Sequence, residues 1–253
     1  MKNCKLIVTD LDGTLLRNDK TVSDFTIKTL QACRDRGILI AFATARSGRG
    51  VVAELREMVK PDIMINQNGA FFEHQGNQAM LEIARETLAK ILTKIFAIKS
   101  NAEVGISTYE AFYANYNTRK YWQQYERHDF NEINFSGTTK IMISLEEISL
   151  EELQTCLPDD LYIEIADGYM AMIMNKNATK FNAISTICNE LKIDLAEVVS
   201  FGDDDNDVLM IQGCGVGVAM ANANPRVKAV ANTECLSNKE DGVARWLQEF
   251  VLV

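Results

Sequence analysis

The sequence predicts an α/β fold: a parallel sheet flanked by helices, interrupted in its middle by an α+β insert. Three observations predict it. Short, almost wholly apolar runs (Leu6-Ile7-Val8, Ile38 to Ala43, Ile63-Met64-Ile65 and Val198-Val199-Ser200-Phe201) have the continuous hydrophobicity of strands buried on both faces. Amphipathic stretches separate them at the spacing of right-handed βαβ units. Between Ile83 and Asn177 the rhythm gives way to alternating strands and hairpin signals.

The first strand runs straight into Asp10-Leu11-Asp12-Gly13-Thr14-Leu15. In extended chain, residues i and i+2 project to the same side, so Asp10 and Asp12 are expected to converge at the strand's C-terminal end. Gly13 lets the backbone turn away, and the crevice beyond such strand ends is where ligands sit in open α/β sheets. Two anions held this close need a cation, most simply Mg²⁺, which prefers oxygen ligands. Asp-x-Asp-Gly alone is also an ordinary polar turn; the whole string behind a buried strand is more specific.

Next, Ser23 is placed to cap a helix carrying Ile27, Leu30 and Cys33 on one face and ended by Gly37. The second strand is followed by Thr44-Ala45-Arg46-Ser47, a helix spans Val51 to Val59 before Pro61, and the third strand ends in Asn66-Gln67-Asn68-Gly69-Ala70. Phe71-Phe72, a turn at Gln75-Gly76-Asn77 and Met80-Leu81 predict a hairpin. Arg85 to Ile98 reads as a helix with Leu88, Ile91, Leu92 and Ile95 on its buried face. Strands at Val104 to Ser107 and Ala111 to Tyr116, a Tyr/Trp/Gln-rich piece around Tyr121, Trp122 and Tyr125, and a strand at Ile141 to Ile143 follow. A helix from Leu150 to Cys156 and strands at Tyr162 to Ile165 and Met170 to Met174 complete the insert, in whose core Tyr109, Tyr113 and Trp122 are expected. Residues 1–82 and 177–253 are therefore read as one domain and 83–176 as the inserted one. The βαβ rhythm resumes with a helix over Thr179 to Leu191, the strand at Val198 and a short helix through Met210. Together, Val216 to Ala219 and Ala229 to Ala231 read as last edge strands or as a strand plus a helix, and Gly242 to Val251 as the last helix.

A net charge of −9 argues against general nucleic-acid binding, which needs a basic footprint. It also means that an anionic substrate must be attracted by local cations. The six cysteines are scattered without a Cys-x-x-Cys pair, as in a reducing compartment. The chain enters its first strand at once, which predicts no secretory signal, and no apolar stretch is long enough for a membrane span. A cytoplasmic protein is expected, and no feature sets an oligomeric state.

Gly202-Asp203-Asp204-Asp205-Asn206-Asp207 again places acids at the end of an apolar strand. An EF-hand loop is disfavoured, because Val208 stands where that loop needs glycine and no spaced closing glutamate follows. The string from Asp10 to Leu15 resembles the first motif of the haloacid dehalogenase (HAD) superfamily of aspartate-nucleophile phosphohydrolases. Thr44 at the end of the second strand resembles the second motif, Lys180 near a helix start the third, and Gly202 to Asp207 the fourth. Their order, the insert between the second and third, and Asn68-Gly69-Ala70 are similar to the Cof-type branch with a type IIB cap. That resemblance implies a HAD-like Rossmannoid parallel sheet core with helices on both faces plus an inserted α+β cap that selects the substrate.

It also implies the chemistry: a Mg²⁺-dependent phosphomonoester hydrolase of small phosphorylated metabolites, sugar phosphates among the candidates. Asp10 would be the nucleophile and Asp12 the general acid and base. Asp10, the Asp12 carbonyl and Asp203 would hold the metal, with Asp207 supporting it. Lys180, Thr44, Asn206, Arg46 and the N–H groups of Leu11 and Ala45 would bind phosphate and substrate. Two departures stand out: Thr44-Ala45-Arg46 where the branch commonly has Thr-Gly-Arg, and Phe181 after Lys180 where it commonly has glycine.

Other chemistries leave little trace. Gly213-x-Gly215-x-Gly217 lacks the strand–turn–helix context of a dinucleotide fingerprint, no Gly-Lys dipeptide exists for a Walker A loop, and no cysteine precedes an arginine by six residues. His74 and His128 lack metal-ligand spacing and read as surface residues. Two alternatives to hydrolysis remain: a phosphotransferase or mutase, and a non-catalytic phospho-acceptor module, the latter weakened by Asp12 and by the insert.

Overall fold

In the computed structural model, which describes residues 3–118, 125–146, 148–166 and 168–253, the first apolar run is β1 (Leu6–Thr9), every residue of it buried. α1 (Asp24–Asp35) begins where the Ser23 side chain accepts the Thr26 N–H, satisfying one of the donors that a helix start leaves unpaired. It ends before Gly37, whose φ of +79° is the left-handed turn that commonly follows a helix, and leads into β2 (Leu39–Ala43). α2 (Val51–Val59) stops at Lys60 in left-handed conformation, just before Pro61. β3 (Ile63–Asn66) and the hairpin of β4 (Phe71–His74) and β5 (Asn77–Met80) follow.

The middle of the chain forms α3 (Arg85–Ile98), β6 (Val104–Thr108), β7 (Phe112–Ala114), β8 (Glu126–Arg127), β9 (Thr138–Ser144), α4 (Leu150–Cys156), β10 (Leu161–Ala166) and β11 (Met170–Asn175). The remainder is α5 (Lys180–Leu191), β12 (Val198–Gly202), α6 (Val208–Gly213), β13 (Val216–Met220), α7 (Pro225–Val230), β14 (Thr233–Cys235) and α8 (Gly242–Phe250). These elements form two compact units, Met1–Ala79 with Thr179–Val253, and Met80–Ala178.

In the first unit the strand order is β14-β13-β12-β1-β2-β3-β4-β5. The sheet is parallel from β14 to β3, with β4 antiparallel beside β3. From β1 the chain moves one way across the sheet to β3, and from β12 the opposite way to β14. Right-handed crossovers therefore put the two sets of helices on opposite faces. α1 packs with α2 and α8, while α6 packs with α5 and α7. Between β1 and β12 the direction reverses, so their C-terminal ends form the switch point at which such sheets bind ligands.

Of the two readings of Val216 to Ala219 and Ala229 to Ala231, a strand plus a helix holds: β13 is the strand, and Ala229 and Val230 lie in α7. Asn224 caps α7 by accepting the N–H groups of Arg226 and Val227, and Pro225 takes the first helical position, a placement proline favours. The edge strand is β14. Gly215 and Gly217 serve packing, because a Cβ at either would strike the carbonyl of Ala196 or Ile211. His74 is also not a surface residue: it is 4% exposed, and its Nε2 lies 2.6 Å from Glu190 Oε2. Alternation places it on β4, where burial follows from the neighbouring helix α5, which no local pattern reports.

The second unit is a sheet ordered β10-β11-β9-β6-β7-β8. Leu88, Ile91, Leu92 and Ile95 of α3 and Leu153 of α4 pack on Ile106, Ile141, Ile143 and Ile173 of one face. Met142, Met172 and Met174 form a separate cluster with Phe112 and Tyr116. Tyr113 and His128 join an aromatic group with Phe130 and Phe135, but Tyr109, expected in the core, is 45% exposed. Tyr121 and Trp122 lie outside the described residues. Among the described residues no helix is long and apolar enough to cross a membrane.

Lys140 alternates with Ile141 on β9 and so stands on the strand's other side, yet it is only 6% exposed. Burial pushes its amine from 10.5 down to about 8, with Glu164 opposing. The unfolded chain therefore binds this proton more tightly, so the penalty is fully present below about pH 8 and is relieved as pH rises towards the ordinary lysine value. Lys140→Met, which removes this titration, is expected to gain on the parent protein most at neutral pH. The gain, followed by thermal unfolding, should shrink as pH approaches about 10. A difference from the parent that stays constant over that range contradicts this.

Candidate active site

Asp10 leaves the end of β1 and Asp203 leaves the end of β12. The two strands pair with Thr9 opposite Phe201, and the Asp10 N–H donates to the Phe201 carbonyl at 3.0 Å. Acids far apart in the chain thus emerge side by side at the switch point. Thr44 leaves β2 on the other side of β1, where Thr9 faces Phe42. Lys180 opens α5, whose cap, Thr179, accepts the Asn182 N–H.

The Lys180 side chain is fully buried. Its Nζ donates to Asp10 Oδ1 at 2.6 Å, to Asp207 Oδ1 at 2.7 Å and to Asn206 Oδ1 at 3.4 Å. Asp207 Oδ2 accepts the N–H groups of Asp203 and Asp204 at 2.9 and 3.1 Å, closing the loop on itself. Thr14 Oγ1 donates to Asp203 Oδ1 at 2.7 Å. Gly13, with φ of +79°, sits so close to Asp203 that a Cβ there would collide with its carboxylate. That glycine is needed for both its conformation and its small size.

Three carboxylates share one ammonium here, and the charges do not balance. Burial pushes the Asp10 carboxyl well above its usual range against the pull of Lys180, with Asp207 and Asp203 adding repulsion. Burial, together with Asp207 and Asp204, lifts Asp203 to about 6 despite Thr14. Burial also works against the Lys180 ammonium, but Asp10 and Asp207 more than reverse it and hold it above the ordinary lysine range. The cluster therefore favours additional positive charge.

A divalent cation is one way to supply it. Carboxylate oxygens of Asp10, Asp203 and Asp207 lie within 4.8 Å of one another, the one such group among the described residues. An all-oxygen donor set suits a hard ion such as Mg²⁺. Asp207 already spends both oxygens on Lys180 and the two N–H groups, whereas Asp10 and Asp203 each keep a second oxygen. The residues present fit such an ion, with Asp10 and Asp203 as direct donors and Asp207 holding their surroundings in place.

The Asp12 carboxylate does not join that of Asp10 in the group that could hold a metal. Beyond Thr9 the backbone coils: the Leu15 N–H reaches the Asp10 carbonyl and the Leu16 N–H reaches the Leu11 carbonyl. The Asp12 carboxylate pairs instead with Arg46, through Nη2 at 2.8 Å and through Nε, and with Lys20 Nζ at 2.6 Å. Burial would raise its pKa, but hydrogen bonds from Arg46 and Lys20 more than offset that and hold it below the usual carboxylate value. Arg46 accordingly faces Asp12.

Thr44 is 1% exposed and its Oγ1 accepts the Arg46 N–H at 3.1 Å, which leaves its own O–H to donate. Leu11 is buried and Ala45 half-buried. The departure at Phe181 has a physical counterpart. Its ring packs against Gly213, where a Cβ would collide with it, and joins the main core. Thr14, Lys20 and Asn68 are site residues that sequence reasoning did not assign. Thr14 and Asn68 stand within strings already singled out, while Lys20 carries no local signal.

A family model described as haloacid dehalogenase-like hydrolase matches residues 7–247. The chain is 27% identical to the 5-amino-6-(5-phospho-D-ribitylamino)uracil phosphatase YitU of Bacillus subtilis, over 97% of each chain. It is 32% identical to a Haemophilus influenzae protein provisionally named a phosphatase, over 96% of each. A solved structure described as the HAD subclass IIB sugar phosphatase BT4131 superposes with a TM-score of 0.83 at 25% identity, covering 98% of this chain and all of the other.

Proposed function

The chain belongs to the haloacid dehalogenase-like hydrolase family and is a phosphatase of small phosphorylated substrates, and on that premise we propose that it hydrolyses phosphate monoesters through an aspartyl-phosphate on Asp10 in a Mg²⁺-dependent reaction. The observation that carries this reading is the gathering of Asp10, Asp203 and Asp207 about the buried Lys180 ammonium at the switch point of the sheet.

Lys180 holds Asp10 by Oδ1, which orients the carboxylate whose oxygen attacks phosphorus. As that oxygen–phosphorus bond forms, the bond to the substrate's alkoxide breaks, and Asp12 supplies its proton. In the second step Asp12 takes a proton from water, whose oxygen displaces Asp10 and releases inorganic phosphate. The Asp12 carboxylate lies between two cations. A substrate phosphate drawing Arg46 away would raise its proton affinity at the step that needs it. The Thr44 hydroxyl, the N–H groups of Leu11 and Ala45, and Asn206 are assigned to the equatorial phosphate oxygens. A bound Mg²⁺ at Asp10 and Asp203 would neutralise phosphoryl charge.

Sugar phosphates and related phosphorylated polyols are the proposed substrates. The relatives named for a sugar phosphatase and for a phospho-ribityl compound support that class. The unit Met80–Ala178, inserted between β4–β5 and α5, is assigned the choice among them. The cysteines, all thiols, support a cytoplasmic setting.

A panel of phosphate monoesters assayed for phosphate release, with magnesium and with chelator, tests the reading. Chelation is expected to lower turnover at least about a hundredfold, and magnesium to restore it, because a bound cation stabilises phosphoryl charge by several kcal/mol. Undiminished turnover in chelator would remove the metal from the proposal.

A further inference from the structure

The turn that follows β3 is built unlike its neighbours. Gln67, Asn68 and Gly69 have φ of +52°, +57° and +92°, and all three are buried. Consecutive left-handed residues, one of them glutamine, persist only where the surroundings over-determine them. Here each contact leads to a different part of the active site. The Gln67 N–H donates to the Arg46 carbonyl at 2.9 Å, and the Asn68 N–H to the Thr44 carbonyl at 3.0 Å. Gly69 lies so close to the Thr179 carbonyl, next to Lys180, that no Cβ fits. The Asn68 side chain reaches the fourth segment: its Oδ1 accepts from Asn206 Nδ2 at 3.0 Å.

That bond decides which way the Asn206 amide points. An ammonium only donates, so Asn206 must turn its oxygen to Lys180, where Oδ1 lies 3.4 Å from Nζ. Its nitrogen then needs an acceptor on the far side, and Asn68 Oδ1 is placed there. The chain of bonds runs from Asn68 through Asn206 to Lys180 and Asp10. Glycine alone would satisfy the backbone at φ of +57°. Asparagine is the residue that tolerates this conformation and also offers a side-chain oxygen.

We propose that Asn68 is a positioning residue for phosphoryl transfer, its side-chain oxygen orienting the Asn206 amide against Lys180 and so holding that ammonium on Asp10. The role rests on the reading of Asp10 as nucleophile. Its test therefore keeps the two apart by measuring p-nitrophenyl phosphate hydrolysis and thermal unfolding for the wild type and for Asp10→Asn, Asn68→Gly, Asn68→Asp, Asn206→Ala and the Asn68→Gly/Asn206→Ala pair. Asn68→Gly keeps the turn and removes only the amide, so it should melt close to the wild type. Its kcat should fall about ten- to a hundredfold, the usual cost of losing a supporting hydrogen bond at a site, with KM little changed. Asn68→Asp, which retains the accepting oxygen, should recover most of kcat, and the double variant should be no slower than Asn206→Ala alone.

A purely structural role would leave Asn68→Gly at full kcat, and that result overturns the proposal. So does a double variant whose losses multiply, or an Asn68→Asp as slow as Asn68→Gly. Should Asn68→Gly fail to fold, Asn68→Asp against Asn206→Ala decides: wild-type-like kcat in the first and loss in the second is the expected pair, and equal loss refutes it. Turnover that survives Asp10→Asn would instead overturn the nucleophile reading, and the role of Asn68 with it.

Discussion

Replacing Asp10 by asparagine is expected to stop turnover while leaving the protein folded at least as stably as before. The amide is close in size and shape to the carboxylate, so β1 and the bond from Asp10 N–H to the Phe201 carbonyl are untouched. What disappears is the anionic oxygen that attacks phosphorus. Loss of a covalent nucleophile should cost at least about a thousandfold in kcat, or roughly 4 kcal/mol of barrier. Stability should move the other way, because three carboxylates crowd one ammonium and burial disfavours the Asp10 charge. Removing one of them relieves that repulsion, while Lys180 keeps Asp207 at 2.7 Å. Many active sites trade stability for function in this manner. Phosphate release and metal-free thermal unfolding of Asp10→Asn check both halves. More than a few per cent residual turnover would reject the nucleophile, and a clear fall in Tm would reject the account of crowded charge.

Much of the fold was legible because it is written locally. The helices at Val51–Val59, Arg85–Ile98 and Leu150–Cys156 begin and end where periodicity and stop signals place them, and the buried runs are the strands of the parallel sheet. Ala229 to Ala231 left strand and helix open because a three-residue apolar run has no period of its own. The cap at Asn224 and the proline after it carry the information instead. Tyr109 misled because aromatic character does not say which side of a strand end faces solvent.

At the site, the acids at the two strand ends were legible because parallel pairing of β1 and β12 brings chain-distant strand ends together. The pairing of Asp12 with Arg46 was not. The i, i+2 rule holds only while the chain stays extended, and β1 ends at Thr9. Nor could the sequence report that Lys20 reaches Asp12, or that the Asn68 oxygen meets the Asn206 amide. Those contacts depend on where loops from separate strands come to rest.

Lys180→Met should be the most destabilising single change at the site, for the reason that makes Asp10→Asn benign. Methionine fills most of the same volume, so packing under α5 survives, but Asp10 and Asp207 lose the ammonium that lies 2.6 and 2.7 Å from them. Removing one partner of a buried ion pair typically costs about 3–5 kcal/mol, because the charge left behind has neither water nor counter-ion. For a chain of this size each kcal/mol moves Tm by roughly 2–4 °C, so a fall of about 6–20 °C is expected. Turnover should also be lost, since nothing else orients the nucleophile. Combining the two changes separates the causes. In an Asp10→Asn background one carboxylate fewer is stranded, so Lys180→Met should then cost about 1 kcal/mol less than it does alone. Equal costs in both backgrounds would mean that Lys180 stabilises the fold through Asp207 and packing, and that Asp10 and Lys180 are not energetically coupled.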